Sequence, residues 1–103
     1  MSDKTRNDIE RTCDNIKKLL LDKNDHYGDS ALSPKRIFSS ASPIEQILVR
    51  IDDKLNRIQK GSGFLGGGED VIVDLIGYLV LLRIALDRDA LDSYNQNQPD
   101  PKP

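Results

Sequence analysis

The sequence predicts a small all-α protein: a bundle of three main helices and one short helical turn, completed by self-association. Three observations carry this reading. Apolar residues recur at intervals of three and four along three stretches, the spacing that places them on one face of a helix. The strongest helix-start signal in the chain, Ser42-Pro43-Ile44-Glu45, opens the clearest of these stretches. Three Tyr, two Phe and no Trp in 103 residues favour aliphatic helix packing over an aromatic-rich β-sandwich.

The first helix is expected from about Thr5 to Asp22, with Ile9, Cys13, Ile16 and Leu20 on its apolar face. Asn24, Asp25, Gly28, Asp29 and Ser30 then form a turn-rich break, and Ser33-Pro34 starts a short helical turn reaching about Ser39. At Ser42 the hydroxyl and the Glu45 carboxylate form a capping box, each able to accept from a first-turn amide. From there Ile44, Ile47, Leu48, Ile51, Leu55 and Ile58 make a regular stripe that stops at Lys60-Gly61. The glycine-rich segment 61–68 lacks the Gly-Lys-Ser/Thr ending and the preceding strand of a phosphate-binding loop, so a plain interhelical loop is the better reading. The last helix is expected from Glu69 to about Leu91, and it is apolar on nearly every side from Val71 to Leu86. That pattern asks for burial all round, part of it from another subunit.

One domain is expected over residues 1–92, followed by a disordered tail, 93–103, whose NQNQPDPKP sequence has no apolar anchor. A chain this short buries only roughly 60–65% of its unfolded surface, so a homo-oligomer is a natural source of further burial. The net charge of −2 argues against general nucleic-acid binding, which requires a concentrated basic surface. With Cys13 as the sole cysteine there is neither an internal disulfide nor a multi-cysteine metal site, which suits a cytoplasmic protein. The longest apolar run is broken by Asp74 and Arg83 and is shorter than the roughly 20 residues of a membrane span.

Candidate chemistry begins at Asp74. It sits in the most apolar stretch of the chain, and an ionised carboxylate removed from water must be paired, hydrogen-bonded or metal-bound. A structural salt bridge to Lys or Arg explains it as well as a ligand site does. Asp70, four residues earlier, shares its face, and it also suits a helix N-terminus. On the preceding helix Glu45 and Asp52 fall on one flank of the stripe, Arg50 and Lys54 on the other, and Asp53 projects away from its centre. If the two helices pack antiparallel, Glu45, Asp52, Asp53, Asp70 and Asp74 supply carboxylates for Mg²⁺, a hard ion that takes oxygen ligands. Arg50, Lys54 and Arg57 then neutralise phosphate oxygens, unless they are a solvated charged face. His26 has no second His to make a zinc site, while Tyr27 can stack on a base beside the tight turn that Gly28 permits.

Three segments, Lys23 to Ser30, Leu48 to Ile58 and Asp70 to Tyr78, resemble in order the phage and bacterial family called nucleotide modification associated domain 1. That family is similar to the MazG-like all-α nucleoside triphosphate pyrophosphohydrolases. The resemblance covers most of residues 15–86 and implies an oligomeric helical bundle with acids on two helices holding Mg²⁺ against a nucleotide's phosphates. It assigns Asp53, Asp70 and Asp74 to the family's acids and Arg50, Lys54 and Arg57 to its basic positions. Tyr27-Gly28-Asp29 matches its loop, and Tyr78 closes the third segment as a nucleotide-side candidate. Two positions depart from the pattern: His26 stands where relatives tend to have Asp, and Gly66 where an acid often precedes the first Asp by four.

Two functions follow as expectations. One is Mg²⁺-dependent hydrolysis of a nucleoside triphosphate to monophosphate and pyrophosphate, with Asp53 and Asp74 in catalytic roles. The other is non-catalytic sequestration of a linear or cyclic nucleotide by a phage protein, through Tyr27, Arg50, Lys54, Arg57 and Tyr78. A third reading, an interaction protein that uses its apolar last helix, gives no reason for Asp70 and Asp74.

Overall fold

The structure, a computed structural model, describes residues 3–34, 38–61 and 70–96. It is all-α: α1 spans Asp3–Tyr27, α2 Pro43–Gln59 and α3 Val71–Gln96.

The start of α2 is the one the capping signal predicts. Ser42 is the N-cap in extended conformation, its Oγ accepts from the Glu45 amide at 3.1 Å, and Pro43 occupies the first turn, where no amide is needed. The Gln46 side chain reinforces this entry by donating to the Ala41 carbonyl at 2.9 Å. The helix stops where expected: Lys60 N–H donates to the Asn56 carbonyl, and Gly61 takes a φ of +82° that glycine adopts without strain. At α3 the Asp70 carboxylate accepts from the Val73 amide at 3.0 Å, so Asp70 is the cap and the helix begins one residue later.

Three boundaries differ from expectation. Helix α1 runs on to Tyr27, because residues 23–27 contain no Gly or Pro and the first true stop is Gly28, at φ +68°. Asn24 and Asp25, expected in a turn, are therefore helical, and the Asn24 side-chain amide donates to the Gly28 carbonyl at 3.4 Å. The turn itself is closed at Asp29, whose carbonyl accepts from the amides of Leu32 and Ser33. Helix α3 continues to Gln96, past residue 93 where the tail was expected to begin. Of the short helical turn expected over 33–39, Ser33, Pro34, Phe38 and Ser39 are not helical and the rest lies outside the described residues. The glycine-rich loop at 62–69 and the segment 97–103 lie outside them too.

Helices α2 and α3 form an antiparallel hairpin. Lys54, late in α2, meets Asp74, early in α3, while Ile47, early in α2, clusters with Ala85, late in α3. Around Ile47, Ile51 and Ala85 pack Leu32, Ile44, Leu75, Tyr78, Leu81 and Leu82. Helix α1 has no buried residue and approaches α3 at Gly77, where a Cβ would lie 2.9 Å from Leu20 Cδ2. Glycine there lets the two helices come close. The molecule is extended, with principal dimensions of 60 × 42 × 27 Å and a radius of gyration of 17.7 Å, against about 13 Å for a compact domain of 100 residues. No helix among the described residues is long and apolar enough to cross a membrane.

Because the Ser42 hydroxyl satisfies an otherwise unpaired first-turn amide, Ser42→Ala is expected to cost about 1 kcal/mol. Urea denaturation should show a lower midpoint at unchanged slope.

Candidate functional site

A groove of about 870 Å³ lies between the end of α1, the 28–34 turn and the facing sides of α2 and α3. Each wall comes from a different part of the chain. Lys23, Tyr27, Gly28 and Asp29 form one side, Gln46 and Arg50 the second, and Asp74, Gly77 and Tyr78 the third. Three of the segments singled out in the sequence therefore meet at one place.

At its edge Asp74 bridges all three helices. One carboxylate oxygen lies 3.5 Å from Lys23 Nζ of α1, the other 3.3 Å from Lys54 Nζ of α2. Lys54 is 7% exposed, the one buried charged residue among those described, and the Asp74 side chain keeps 20% of its surface. The cost of placing a carboxylate among apolar neighbours is met here by two ammonium groups. That is the salt-bridge alternative for Asp74, now with its partners identified. Lys23, half exposed, was the partner that sequence reasoning did not single out; it lies inside the first recognised segment, and its distance from Asp74 in sequence gave no local signal.

The remaining candidates separate. Arg50 is exposed, lines the groove and makes no ion pair among the described residues. Tyr27 stands 68% exposed at the rim with its ring edge-on to His26, the centroids 4.7 Å apart. Tyr78 is half-buried between the groove and the core. Arg57 does not line the groove; it pairs with Asp53 one turn away at 3.3 Å on the outer side of α2.

The expected convergence of five carboxylates is not found: among the described residues no three His, Cys, Asp or Glu side chains come together in a way that could hold a metal. The reason is rotational. Asp74 faces the Lys54 flank of α2, and Glu45 and Asp52 occupy the opposite flank, where both are exposed. Asp53 is turned outward to Arg57, and Asp70 is committed to the α3 cap. The charged lining of the groove is two carboxylates, Asp29 and Asp74, and two cations, Lys23 and Arg50; Lys23 is paired with Asp74, and Asp29 accepts from the Ser33 hydroxyl. Asp53 and Asp74, the two expected catalytic acids, are on separate sides of α2, one paired with Arg57 and the other with Lys54.

Comparison of the chain with family models, with curated proteins and with solved structures returns no match.

Removing one side of the three-helix ion pair should be graded by burial. Asp74→Asn is expected to lower stability by about 1–3 kcal/mol, since it weakens a charged contact made by a buried ammonium. Lys23→Met, at a half-exposed position, should cost under about 1 kcal/mol. Chemical denaturation of both variants checks the order, and a larger loss in Lys23→Met would contradict it.

Proposed function

We propose that the chain binds a nucleotide in this groove, its phosphates against Arg50 and Lys23 and its base against Tyr27. The observation that carries the reading is the meeting of cationic and aromatic side chains from three separate segments around one cleft large enough for a mononucleotide or dinucleotide. Arg50 offers a planar fork of donors to phosphate oxygens, and Lys23 a compact charge at the same wall. Tyr27, largely uncovered, has a face open to a base. Stacking on such a ring contributes roughly 1–3 kcal/mol per base and tolerates any base identity. Tyr78 reaches the groove from the core side and can place its hydroxyl at the ligand.

Binding without turnover fits this lining better than hydrolysis does, because Arg50 stands exposed at the groove while the carboxylates of α2 stay away from it. The resemblance to the pyrophosphohydrolases supports the nucleotide as ligand class and implies the hydrolytic alternative.

Calorimetric titration against linear and cyclic nucleotides, with and without Mg²⁺, tests the proposal, with chromatography of each mixture to detect turnover. Magnesium-independent binding with the nucleotide recovered intact is the expected result. Arg50→Ala should weaken it at least about tenfold, the equivalent of one charge-assisted hydrogen bond. Absence of heat across the panel would remove the nucleotide reading, and Mg²⁺-dependent release of pyrophosphate would replace sequestration by hydrolysis.

Gly77→Leu provides a second check. The added side chain must displace Leu20 and move α1 off α3, so nucleotide binding is expected to fall more than tenfold while far-ultraviolet circular dichroism still shows a helical protein.

A further inference from the structure

The two cations that line the groove are in different states. Arg50 is exposed and makes no ion pair among the described residues. Lys23 is already engaged: its Nζ lies 3.5 Å from Oδ1 of Asp74, which lines the groove beside it. The other oxygen of the same carboxylate lies 3.3 Å from Nζ of Lys54, a buried residue of α2. Asp29, the second carboxylate of the lining, accepts from the Ser33 hydroxyl within its own turn. An anion belonging to the protein thus sits on the ammonium that a ligand's phosphate would take.

The two halves of the Asp74 contact are unequal. The Lys23 side chain keeps about half of its surface open, and an ion pair at such a position holds only weakly, because water can replace either partner. The Lys54 side chain keeps 9%, and parting a carboxylate from a buried ammonium is strongly destabilising. The bridge therefore opens on the Lys23 side, while Asp74 stays with Lys54.

We propose that Asp74 is an internal competitor of the ligand: in the empty groove its carboxylate holds Lys23 in the place of a phosphate oxygen, and binding exchanges one anion for the other. This role, which rests on the nucleotide reading of the groove, is opposite in sign to that of a metal ligand, whose carboxylate would help to hold the phosphate. Apparent affinity becomes the intrinsic affinity multiplied by the fraction of chains in which Lys23 is released. The fraction is the same for every anion, so the pair sets a threshold that all ligands must clear. A small anion that reaches only Lys23 replaces one negative charge by another and gains little. A nucleotide adds the Arg50 fork and the Tyr27 face to the same exchange, and these contacts carry it over the threshold. Asp74 thereby keeps the groove closed to simple anions without touching the ligand.

Calorimetric titration of the full chain with adenosine diphosphate and with cyclic AMP, both without Mg²⁺, tests the exchange. Asp74→Asn is expected to bind at least about threefold more tightly than the unaltered chain, the effect of releasing one half-exposed ion pair. In a Lys23→Met background the same substitution should bring no gain, because the ammonium it releases is gone. A variant that loses stability while gaining affinity gives a combination of signs that a purely structural Asp74 does not. Equal or weaker binding by Asp74→Asn would overturn the proposal and leave the nucleotide reading standing, as would a gain that persists undiminished in Lys23→Met. Absence of heat from the unaltered chain with either nucleotide would remove both. Should Asp74→Asn fail to fold, the double variant Lys54→Met, Asp74→Asn takes its place, since exchanging both members of a buried pair for neutral groups is often neutral or stabilising. The same gain over the unaltered chain is expected of it, and its absence overturns the proposal.

Discussion

The fold depends on one carboxylate. Asp74 reaches Lys23 of α1 and Lys54 of α2 from its own position on α3, so the same two oxygens fix all three helices relative to one another. Apolar packing could hold α2 against α3 in several rotational settings, since Leu, Ile and Val substitute for one another at modest cost. A buried ammonium admits few of them, because an alternative setting draws Lys54 and Asp74 apart. Helix α1 makes this plainer still. Without a buried side chain of its own, it owes its position to Leu20 against Gly77 and to Lys23 against Asp74. The groove exists because α1 is held there.

The local features are legible in the sequence alone. Ser42, Pro43 and Glu45 announce a helix start through chemistry confined to four residues, and Gly61 announces its end, so α2 is found where its signals place it. Asn24 and Asp25 are common in turns and suggest an earlier end for α1, yet neither forbids a helix, and the helix ends only at Gly28. Asp74 stood out on desolvation cost alone, a property of its neighbours in sequence. What could not be read was which ammonium would answer it, for Lys23 lies some fifty residues away and that pairing is decided by how α1 crosses α3. Among the described residues the carboxylates stand apart for a reason visible in the helical wheel: Glu45 and Asp52 share a flank opposite Lys54, and once Lys54 faces Asp74 those acids face away. Identity in a short motif is evidence about residue type, whereas convergence needs the rotation of each helix.

The division of labour between the two sides of the hairpin follows from the same rotation. Polar and aromatic residues gather on the side that α1 borders, where a cleft between unlike surfaces gives a ligand several kinds of contact. Aliphatic residues in seven-residue register gather on the other. A mutation that loosens one side need not disturb the other, because the two are separated by the packed seam of Ile47, Ile51 and Ala85. Polar and aliphatic surface are thereby carried by opposite sides of the same two helices.

Helix α1 is about 38 Å long at 1.5 Å per residue, and most of it is held by its own backbone and by surface pairs such as Arg6–Glu10 and Asp8–Arg11. Each pair contributes only roughly 0.3–0.5 kcal/mol and weakens with salt. Its amino-terminal half thus obeys helix–coil statistics and opens locally, while the hairpin melts as a packed unit. Amide protons there exchange with solvent through openings that leave the rest of the protein intact, and the rate of those openings rises with ionic strength. The groove draws its wall from the other half of α1, Leu19 to Tyr27, which Leu20 and Lys23 hold against α3, so the openings run out before they reach it.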